Sequence, residues 1–259
     1  MKKVAFLLLV TLTLISCKEK QTEESITETP SEEVKTDIEN SLNILPISHA
    51  TMILEWDDKI LYIDPVGGAD AFKNYPKADL ILITDIHGDH FNLETLEAVS
   101  NSKVKIIVPQ AVANKLPESF DAQIDVLNNG DTKERYGFMV EAIPMYNLRE
   151  EALKFHEKGR GNGYVIENNN MRVYISGDTE DIPEMRALKD IDIAFVCMNL
   201  PYTMTVESAA DAVLEFQPIT VYPYHYRGTE GMSNVSKFDS IVKVNNPNIT
   251  VIQLEWYKP

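Results

Sequence analysis

The apolar positions at the start of the chain form short runs that are separated by turn residues. Runs at 42–47, 51–56 and 59–64 are rich in isoleucine and leucine, and Asp57 and Asp58 between the last two predict a hairpin turn. A fourth run at 80–83 is continuously apolar, which is typical of a buried strand. The first part of the chain is therefore predicted to be rich in strands.

From residue 92 onward, helical and strand-like patterns alternate. Segment 92–99 places Leu93, Leu96 and Val99 at helical spacing, so it predicts a helix directly after the fourth strand. Further strands are predicted at 104–108, 124–127, 138–144, 164–167, 171–176, 193–198, 219–222 and 249–254, and further helices at 111–116, 182–188, 206–216 and 235–244. This order predicts an α/β fold in which helices flank a sheet or a pair of sheets.

The first residues of the chain do not follow this pattern. Lys2 and Lys3 precede a largely apolar stretch, 4–15, which is shorter than the roughly twenty residues of a membrane-spanning helix. The stretch ends in LISC at 14–17, which resembles a lipobox; an ordinary signal peptide followed by a chance cysteine is the alternative. We expect a lipoprotein signal peptide at 1–17. The mature protein would be anchored in the bacterial cell envelope through a lipidated Cys17, outside the cytoplasm, on the periplasmic face or the cell surface.

The composition divides the remaining chain in two. Residues 18–40 are rich in Glu, Thr, Ser and Lys and contain no aromatic residue, so we expect a disordered acidic tether there. Residues 41–259 contain no linker-like break and are numerous enough for one domain with a sizeable core.

Charge and cysteine content exclude several classes of protein. The formal charge of −16 argues against nucleic acid as a partner, because binding to phosphates needs basic patches. With Cys17 acylated, Cys197 is the only cysteine left, so an intrachain disulfide is excluded. Cys197 lies within the apolar run 193–198 and is predicted to be a buried core thiol. The oligomeric state is not predicted by these features.

Metal-binding side chains are concentrated directly after the fourth strand. Asp85, His87, Asp89 and His90 occupy four of six consecutive positions, at the kind of strand-to-helix turn where open α/β sheets bind ligands. Asp85 and His87 can point the same way in extended backbone, whereas Asp89 and His90 need a turn. Gly88 is expected to give that turn its freedom. A solvated polar turn is the alternative.

Similar side chains recur at later strand ends. Asp178 follows strand 171–176 and His225 follows strand 219–222, so we expect both to converge on the same site. His49 lies between the first two strands, where a place in the site and a hydrogen-bonded structural role both fit. Histidine and aspartate suit Zn²⁺, Mn²⁺ or Fe as ligands, and these side chains are more numerous than the four ligands that one tetrahedral ion takes. Two metals about 3.5–4 Å apart would use all of them.

The chain resembles a known family at these positions. Residues 84–90 (TDIHGDH) resemble the His-x-His-x-Asp-His signature of the metallo-β-lactamase-fold hydrolases, with Asp85 in place of the first histidine. Segments 63–65, 176–179, 201–205 and 222–225 are similar to the branch with ascorbate-6-phosphate lactonase-like and N-acyl phosphatidylethanolamine phospholipase D-like proteins. The resemblance covers 41–259. It implies a four-layer αββα sandwich with the metal site at one edge of the paired sheets.

The resemblance also implies the ligands of two divalent metal ions, bridged by Asp178. One ion would be bound by Asp89, His90 and His225, and the other by Asp85, His87 and a mid-chain histidine. Many relatives place that histidine near the position of Asn147, and His156 is the free candidate in this chain; a loop histidine that faces substrate or solvent is the alternative. Zn²⁺ is the first choice of metal, although the carboxylate of Asp85 adds negative charge and could favour Mn²⁺ or Fe²⁺.

The implied function is metal-dependent hydrolysis of a small molecule. A hydroxide activated by two metals would attack an ester, lactone or phosphodiester, with Asp89 and Asp178 as catalytic residues. Substrate contacts are predicted at Tyr202, Tyr226, Arg160 and Arg227, since an arginine suits a phosphate or carboxylate group. A catalytically weak or inactive metal- or ligand-binding lipoprotein on the same fold is the alternative. A β-lactam substrate is not supported, since fold does not fix function.

Overall fold

The first of two large sheets is built from the first part of the domain. The computed structural model describes residues 42–257, so the predicted signal peptide (1–17) and tether (18–40) lie outside the described residues. This six-stranded sheet runs in chain order: β1 (Leu42–Ser48), β2 (Thr51–Trp56), β3 (Lys59–Ile63), β4 (Leu80–Leu82), β5 (Lys105–Val108) and β6 (Ile124–Val126). Strands β1 to β3 are antiparallel, with the predicted hairpin between Trp56 and Lys59, and β3 to β6 are parallel.

The second sheet has seven strands. Its members are β7 (Thr132–Arg135), β8 (Phe138–Met145), β9 (Gly161–Asn168), β10 (Met171–Ile175), β11 (Ile193–Cys197), β12 (Thr220–Tyr224) and β15 (Thr250–Val251). Their spatial order is β15-β12-β11-β10-β9-β8-β7. Strands β7 to β10 are antiparallel, while β10, β11, β12 and β15 are parallel. Two short strands, β13 (Arg227–Gly228) and β14 (Gly231–Met232), form a separate ribbon.

Helices accompany both sheets. Those of the first half are α1 (Gly68–Phe72), α2 (Leu93–Val99) and α3 (Gln110–Ala113), followed by a 3₁₀ helix at Glu118–Phe120. Those of the second half are α4 (Pro183–Arg186), α5 (Val206–Phe216) and α6 (Val235–Asn245). The side chains of Asn92, Thr205 and Asn234 cap α2, α5 and α6 by accepting from a backbone N–H three residues on, so each of these helices begins at a polar residue that its sequence supplies.

The buried side chains confirm the four-layer αββα sandwich. In β4, Leu80 and Leu82 belong to the main core between the sheets, whereas Ile81 belongs to an outer cluster with Leu96 and Val99 of α2. Because both faces of β4 are covered, its sequence is continuously apolar rather than alternating. The same reason explains why β11 is buried throughout, and Cys197 at its end is a buried free thiol, as predicted, whose pKa is raised by burial to about 12.

Several predicted bounds were wrong. The helix predicted at 182–188 is limited to Pro183–Arg186, and only Thr250–Val251 of the strand predicted at 249–254 pairs with the sheet. Strand β7 was not predicted, because its sequence (TKER) is polar, as suits an exposed edge strand. Among residues 42–257, no helix has the length and apolar character that crossing a membrane requires.

Candidate metal centre

The predicted ligands lie together where strands of both sheets end. Residues 85–90 follow β4, Asp178 follows β10, His225 follows β12, and His156 lies in the loop between β8 and β9. They form two groups, and within each group the candidate ligand atoms all lie within 4.8 Å of one another. We call Asp89, His90, Asp178 and His225 the first cluster, and Asp85, His87 and His156 the second cluster.

A tight turn distributes the residues of the 85–90 segment between the clusters. The carbonyl of His87 accepts hydrogen bonds from the backbone N–H of His90 (3.0 Å) and of Phe91 (2.8 Å). The turn brings Asp89 and His90 to the first cluster and leaves Asp85 and His87 in the second. Gly88 does not adopt a positive φ here, so the expectation that the turn depends on its backbone freedom was wrong.

The spacing in the first cluster matches that of metal ligands. His225 Nε2 lies 3.2 Å from Asp89 Oδ2, 3.4 Å from Asp178 Oδ1 and 3.3 Å from His90 Nε2. His90 Nε2 lies 3.4 Å from Asp178 Oδ2 and 4.0 Å from Asp89 Oδ1. Ligand atoms placed about 2.0–2.1 Å from one tetrahedral zinc ion are about 3.3–3.4 Å apart. Asp178 Oδ1 is also buried without a hydrogen-bond donor in the described part of the chain. These residues therefore fit a divalent cation.

His90 is oriented for this role by residues behind it. Its Nδ1 lies 2.8 Å from Asp64 Oδ2, and both side chains are fully buried. Asp64 also accepts from the backbone N–H and the hydroxyl of Thr84, so the Thr84 proton is already used and His90 Nδ1 must donate. That tautomer leaves the Nε2 lone pair directed at the first cluster, as a metal ligand requires.

His156 is oriented in a similar way by Asn147. His156 Nδ1 lies 2.6 Å from Asn147 Oδ1, and the backbone N–H of Asn147 donates to the carbonyl of His156 (3.0 Å). Glu180 fixes the Asn147 amide from the other side by accepting from its Nδ2 (3.1 Å). His156 Nε2 then lies 3.2 Å from Asp178 Oδ2, which places Asp178 between the two clusters. Asn147, near which the resemblance implied a histidine ligand, thus positions the histidine that lies nine residues further on.

The electrostatics show that the first cluster attracts positive charge. Burial alone would raise the pKa of Asp178, but His225, His90 and His156 hold it well below its usual value. Burial likewise opposes protonation of His90, yet Asp178 and Asp64 raise its pKa well above the usual value. Without a metal, this geometry therefore attracts a proton, and a divalent cation would take the place of that proton.

In the second cluster, the carboxylate of Asp85 is occupied by hydrogen bonds from neighbouring side chains. Asp85 is fully buried, and its Oδ2 lies 2.8 Å from His87 Nδ1. The guanidinium of Arg160 binds both carboxylate oxygens of Asp85, with Nε donating to Oδ1 (3.1 Å) and Nη2 to Oδ2 (2.9 Å). Nη2 also donates to the carbonyl of Phe155 (2.6 Å) and lies 3.5 Å from His87 Nε2. Arg160, predicted as a substrate contact, thus binds a predicted metal ligand and is not among the residues that line the cavity beside the clusters.

A cavity of about 290 Å³ opens beside the clusters. It is lined by His87, Asp89, Phe155, His156, Asp178, Asn199 and Tyr202. The rings of Phe155 and Tyr202 meet edge to face at 5.0 Å and form one wall. Tyr202 is therefore placed where the sequence predicted a substrate contact, and Asp89, with 42% of its side chain exposed, is the carboxylate most open to the cavity.

Tyr226 and Arg227, two of the predicted substrate contacts, do not line this cavity. Arg227 stacks over the ring of Tyr257 (4.5 Å), and its Nη2 donates to His49 Nε2 (2.9 Å). His49 is therefore an acceptor at Nε2, and burial together with His225 and Arg227 lowers its pKa to about 4, so it is neutral near pH 7. Its ring packs against that of His225 at 5.1 Å. The structure thus gives His49 the hydrogen-bonded role of the two that the sequence left open.

Three contributors to the site were missed by the sequence analysis. Asp64 was noted only as part of a resembling segment, although a carboxylate directly after β3 repeats the pattern of Asp178 after β10. Phe155 and the supporting role of Asn147 had no signal, because both depend on how the loop 146–160 folds.

Comparison with known proteins identifies the family. A family model described as a beta-lactamase superfamily domain matches residues 43–225, so the chain belongs to the metallo-β-lactamase superfamily. The predicted superfamily is confirmed, and the branch within it stays a prediction. The UPF0173 metal-dependent hydrolase of Pyrococcus abyssi is 30% identical over 189 residues, which are 70% of this chain and 82% of that protein.

Solved structures agree with this assignment. A crystal structure from Parabacteroides distasonis, classed as a metal-dependent hydrolase, has 40% sequence identity and a TM-score of 0.75, and the match covers 83% of this chain and 94% of that one. The metallo hydrolase Igni18 from Ignicoccus hospitalis, at 22% identity and a TM-score of 0.70, shares the fold over 84% of this chain and 96% of its own. The protein is a metal-dependent hydrolase with the metallo-β-lactamase fold.

Proposed function

We propose that this hydrolase cleaves an ester, lactone or phosphodiester bond in a small molecule, with two divalent ions held by the clusters and bridged by Asp178. The observation that carries the proposal is the ligand-like spacing of the first cluster beside an open cavity. The choice of bond types rests on the resemblance of segments 63–65, 176–179, 201–205 and 222–225 to the lactonase-like and phospholipase D-like branch. Zn²⁺ is the first choice of metal, with Mn²⁺ and Fe²⁺ as alternatives.

The chain's own residues would divide the chemistry among them. When bound, divalent cations at such a centre supply Lewis acidity and lower the pKa of coordinated water, which makes hydroxide available near neutral pH. Asp178 Oδ2 lies 3.4 Å from His90 Nε2 and 3.2 Å from His156 Nε2, so this carboxylate contacts a histidine of each cluster and links the two clusters. Asp89, which borders the cavity, would orient the nucleophile by accepting a hydrogen bond from it.

The cavity favours a small substrate with a planar or apolar part. Phe155 and Tyr202 offer an aromatic wall on one side. Asn199 also lines the cavity, and its Oδ1 accepts from the Thr203 hydroxyl (2.6 Å), which leaves its NH₂ group as a donor for substrate oxygen.

Metal content and turnover together test this proposal. The purified domain should bind divalent metal and hydrolyse at least one member of a panel of phosphodiesters, lactones and esters, and EDTA should abolish the turnover. Asp178→Ala should lose both metal and activity, while Asp79→Ala, far from the centre, should keep both. Turnover that survives EDTA, or full metal content in Asp178→Ala, would contradict the proposal.

A metal-binding lipoprotein without turnover is the second candidate. The observation that favours it is the pairing of Asp85 with Arg160, which departs from the usual ligand pattern. Stable metal binding with no turnover on any member of the panel would select this candidate. For both candidates we propose the same location in the bacterial cell envelope, through a lipid on Cys17.

A further inference from the structure

The two clusters differ in how their ligand atoms are arranged. In the first cluster, the closest contacts are 3.2–3.4 Å and join atoms that turn lone pairs toward one another. In the second cluster, His87 Nδ1 and Asp85 Oδ2 are 2.8 Å apart, which is a hydrogen-bond distance rather than a ligand spacing. The first cluster is arranged around a shared centre, and the second is not.

Arg160 has the contacts that a cation would have in the second cluster. Its guanidinium binds both oxygens of the buried Asp85 carboxylate and approaches His87 Nε2, which is the remaining nitrogen of that imidazole. A bidentate arginine–carboxylate pair is among the stronger polar contacts in proteins, and arginine stays charged at all relevant pH values. Its side chain is only 18% exposed, so water screens the pair weakly.

The fixed charge of Arg160 opposes a second metal ion in two ways. It neutralises the carboxylate that would otherwise attract the ion, and it repels a divalent cation placed among the same side chains. Within the described range, 42–257, no lysine or arginine pairs with a carboxylate of the first cluster. Arg227 donates to His49 and stacks on Tyr257 instead.

We propose that Arg160 is a built-in competitor for the second metal ion, so that the protein binds one divalent ion tightly in the first cluster and a second only when Arg160 releases Asp85. The inference rests on the proposed function, since it takes both clusters to be metal sites. It assigns Arg160 a role in setting metal stoichiometry, and it makes Asp85 an acceptor shared between an arginine and a metal.

Metal titration of the metal-free protein tests the inference without measuring activity. Zn²⁺ and, separately, Mn²⁺ are titrated by calorimetry, and the bound metal is counted by elemental analysis after equilibrium dialysis. Wild type should show one tight and one weak event. Arg160→Gln should bind the second ion at least about ten-fold more tightly, because the buried Asp85 carboxylate is then unpaired and attracts a cation.

Two further variants make the test specific. Arg227→Gln removes the same formal charge from the neighbourhood of the first cluster. This variant should leave the affinity for the second metal ion at its wild-type value. Arg160→Lys keeps the charge but loses the two-pronged geometry, so its second affinity should lie between those of wild type and Arg160→Gln. Thermal unfolding of each metal-free variant shows that the folded protein is being titrated, and Arg160→Lys decides the question if Arg160→Gln does not fold.

Each outcome has a separate meaning. Two ions of equal affinity in wild type, or a second affinity that is unchanged or weaker in both Arg160 variants, overturns the inference and leaves the proposed hydrolytic function standing. A wild-type protein that binds no metal at either cluster overturns the proposed function itself, and the inference with it.

Discussion

At the scale of single residues, the directions of two imidazoles in the centre, those of His90 and His156, are set by a partner behind each ring. Asp64 accepts from His90 Nδ1, and Asn147 accepts from His156 Nδ1, so both histidines present Nε2 to Asp178. Partners of this kind fix the tautomer and raise the basicity of the ligand. The affinity of the centre for metal therefore depends on residues that do not border the cavity.

Asp64→Asn tests this dependence. An asparagine at position 64 keeps one acceptor for His90 Nδ1 but loses the negative charge, so metal affinity should fall by about 10- to 100-fold. Competition with a chromophoric chelator measures the change. Asp79→Asn is the matched control, because Asp79 accepts from the backbone N–H of Ile60 in the same sheet (3.0 Å) and has no contact with the centre. Equal affinities in the two variants would contradict the role of Asp64.

The pKa shifts of two residues predict how the stability of the metal-free protein depends on pH. Asp178 has a lowered pKa, so its contribution to stability is present above the unfolded value of about 4 and is lost as the pH falls below it. His90 has a raised pKa, so its contribution is present below about 6.5 and is lost as the pH rises through its folded pKa. Asp178 and His90 therefore both contribute fully to stability only between about pH 4 and about pH 6.5.

Urea unfolding of EDTA-treated protein should therefore show higher stability at pH 5.5 than at pH 8.5. His90→Gln should show a smaller difference between the two values, because it lacks the titrating imidazole. Addition of metal should reverse the trend, since ligands must lose their protons to bind it. A metal-free stability that rises from pH 5.5 to pH 8.5 would contradict the assigned direction for His90.

At the scale of elements, strand β9 passes close to its neighbours and to the centre. A Cβ at Gly163 would lie 2.8 Å from the carbonyl oxygen of Ser176 and 2.9 Å from that of Ile175, both of which are backbone atoms. A Cβ at Gly161 would meet Met145 and the carbonyl oxygen of Thr84. This close backbone approach lies within strand β9 rather than at a turn.

Gly163→Ala should destabilise the protein by about 1–3 kcal/mol, because the backbone on both sides must move to admit a methyl group. Gly88→Ala is the control: a Cβ there has no neighbour within 4 Å and φ is not positive, so its effect on the metal-free protein should stay within about 0.5 kcal/mol. Chemical unfolding of the metal-free variants measures both values. A Gly163→Ala variant as stable as Gly88→Ala would show that β9 has more room than its contacts indicate.

The sequence predicts features of single elements, such as burial and strand ends, better than contacts between distant loops. Buried strands such as β4 could be predicted because their apolar runs are continuous, and the candidate ligands after β4, β10 and β12 could be picked out because strand ends are marked by polar residues. The partner of Asp85 was not found, since Arg160 is 75 residues away and reaches it only through the fold of the loop 146–160. Sequence patterns report burial and spacing, but not which loop side chains meet.

At the scale of the whole molecule, the centre depends on how two similar halves meet. Each large sheet has an antiparallel part and a parallel part, and the described chain places its clusters where parallel strands of both sheets end. The core between the sheets is large and apolar and does not include the candidate metal ligands. We therefore expect the fold to persist without metal, which is what makes titration of the metal-free protein feasible.

The whole chain also carries a prediction about its place in the cell. If LISC at 14–17 is a lipobox, wild-type protein expressed in a bacterium should sediment with membranes and require detergent for release, whereas Cys17→Ser should not. Membrane fractionation with immunoblotting measures this, and Cys197→Ala is the control because that thiol is buried in the core. A fully extended chain from 18 to 40 spans at most about 80 Å, so the anchored domain would stay near the membrane surface. If Cys17→Ser sediments with membranes as wild type does, the lipid anchor is wrong, and metal titration of the domain is unaffected by that result.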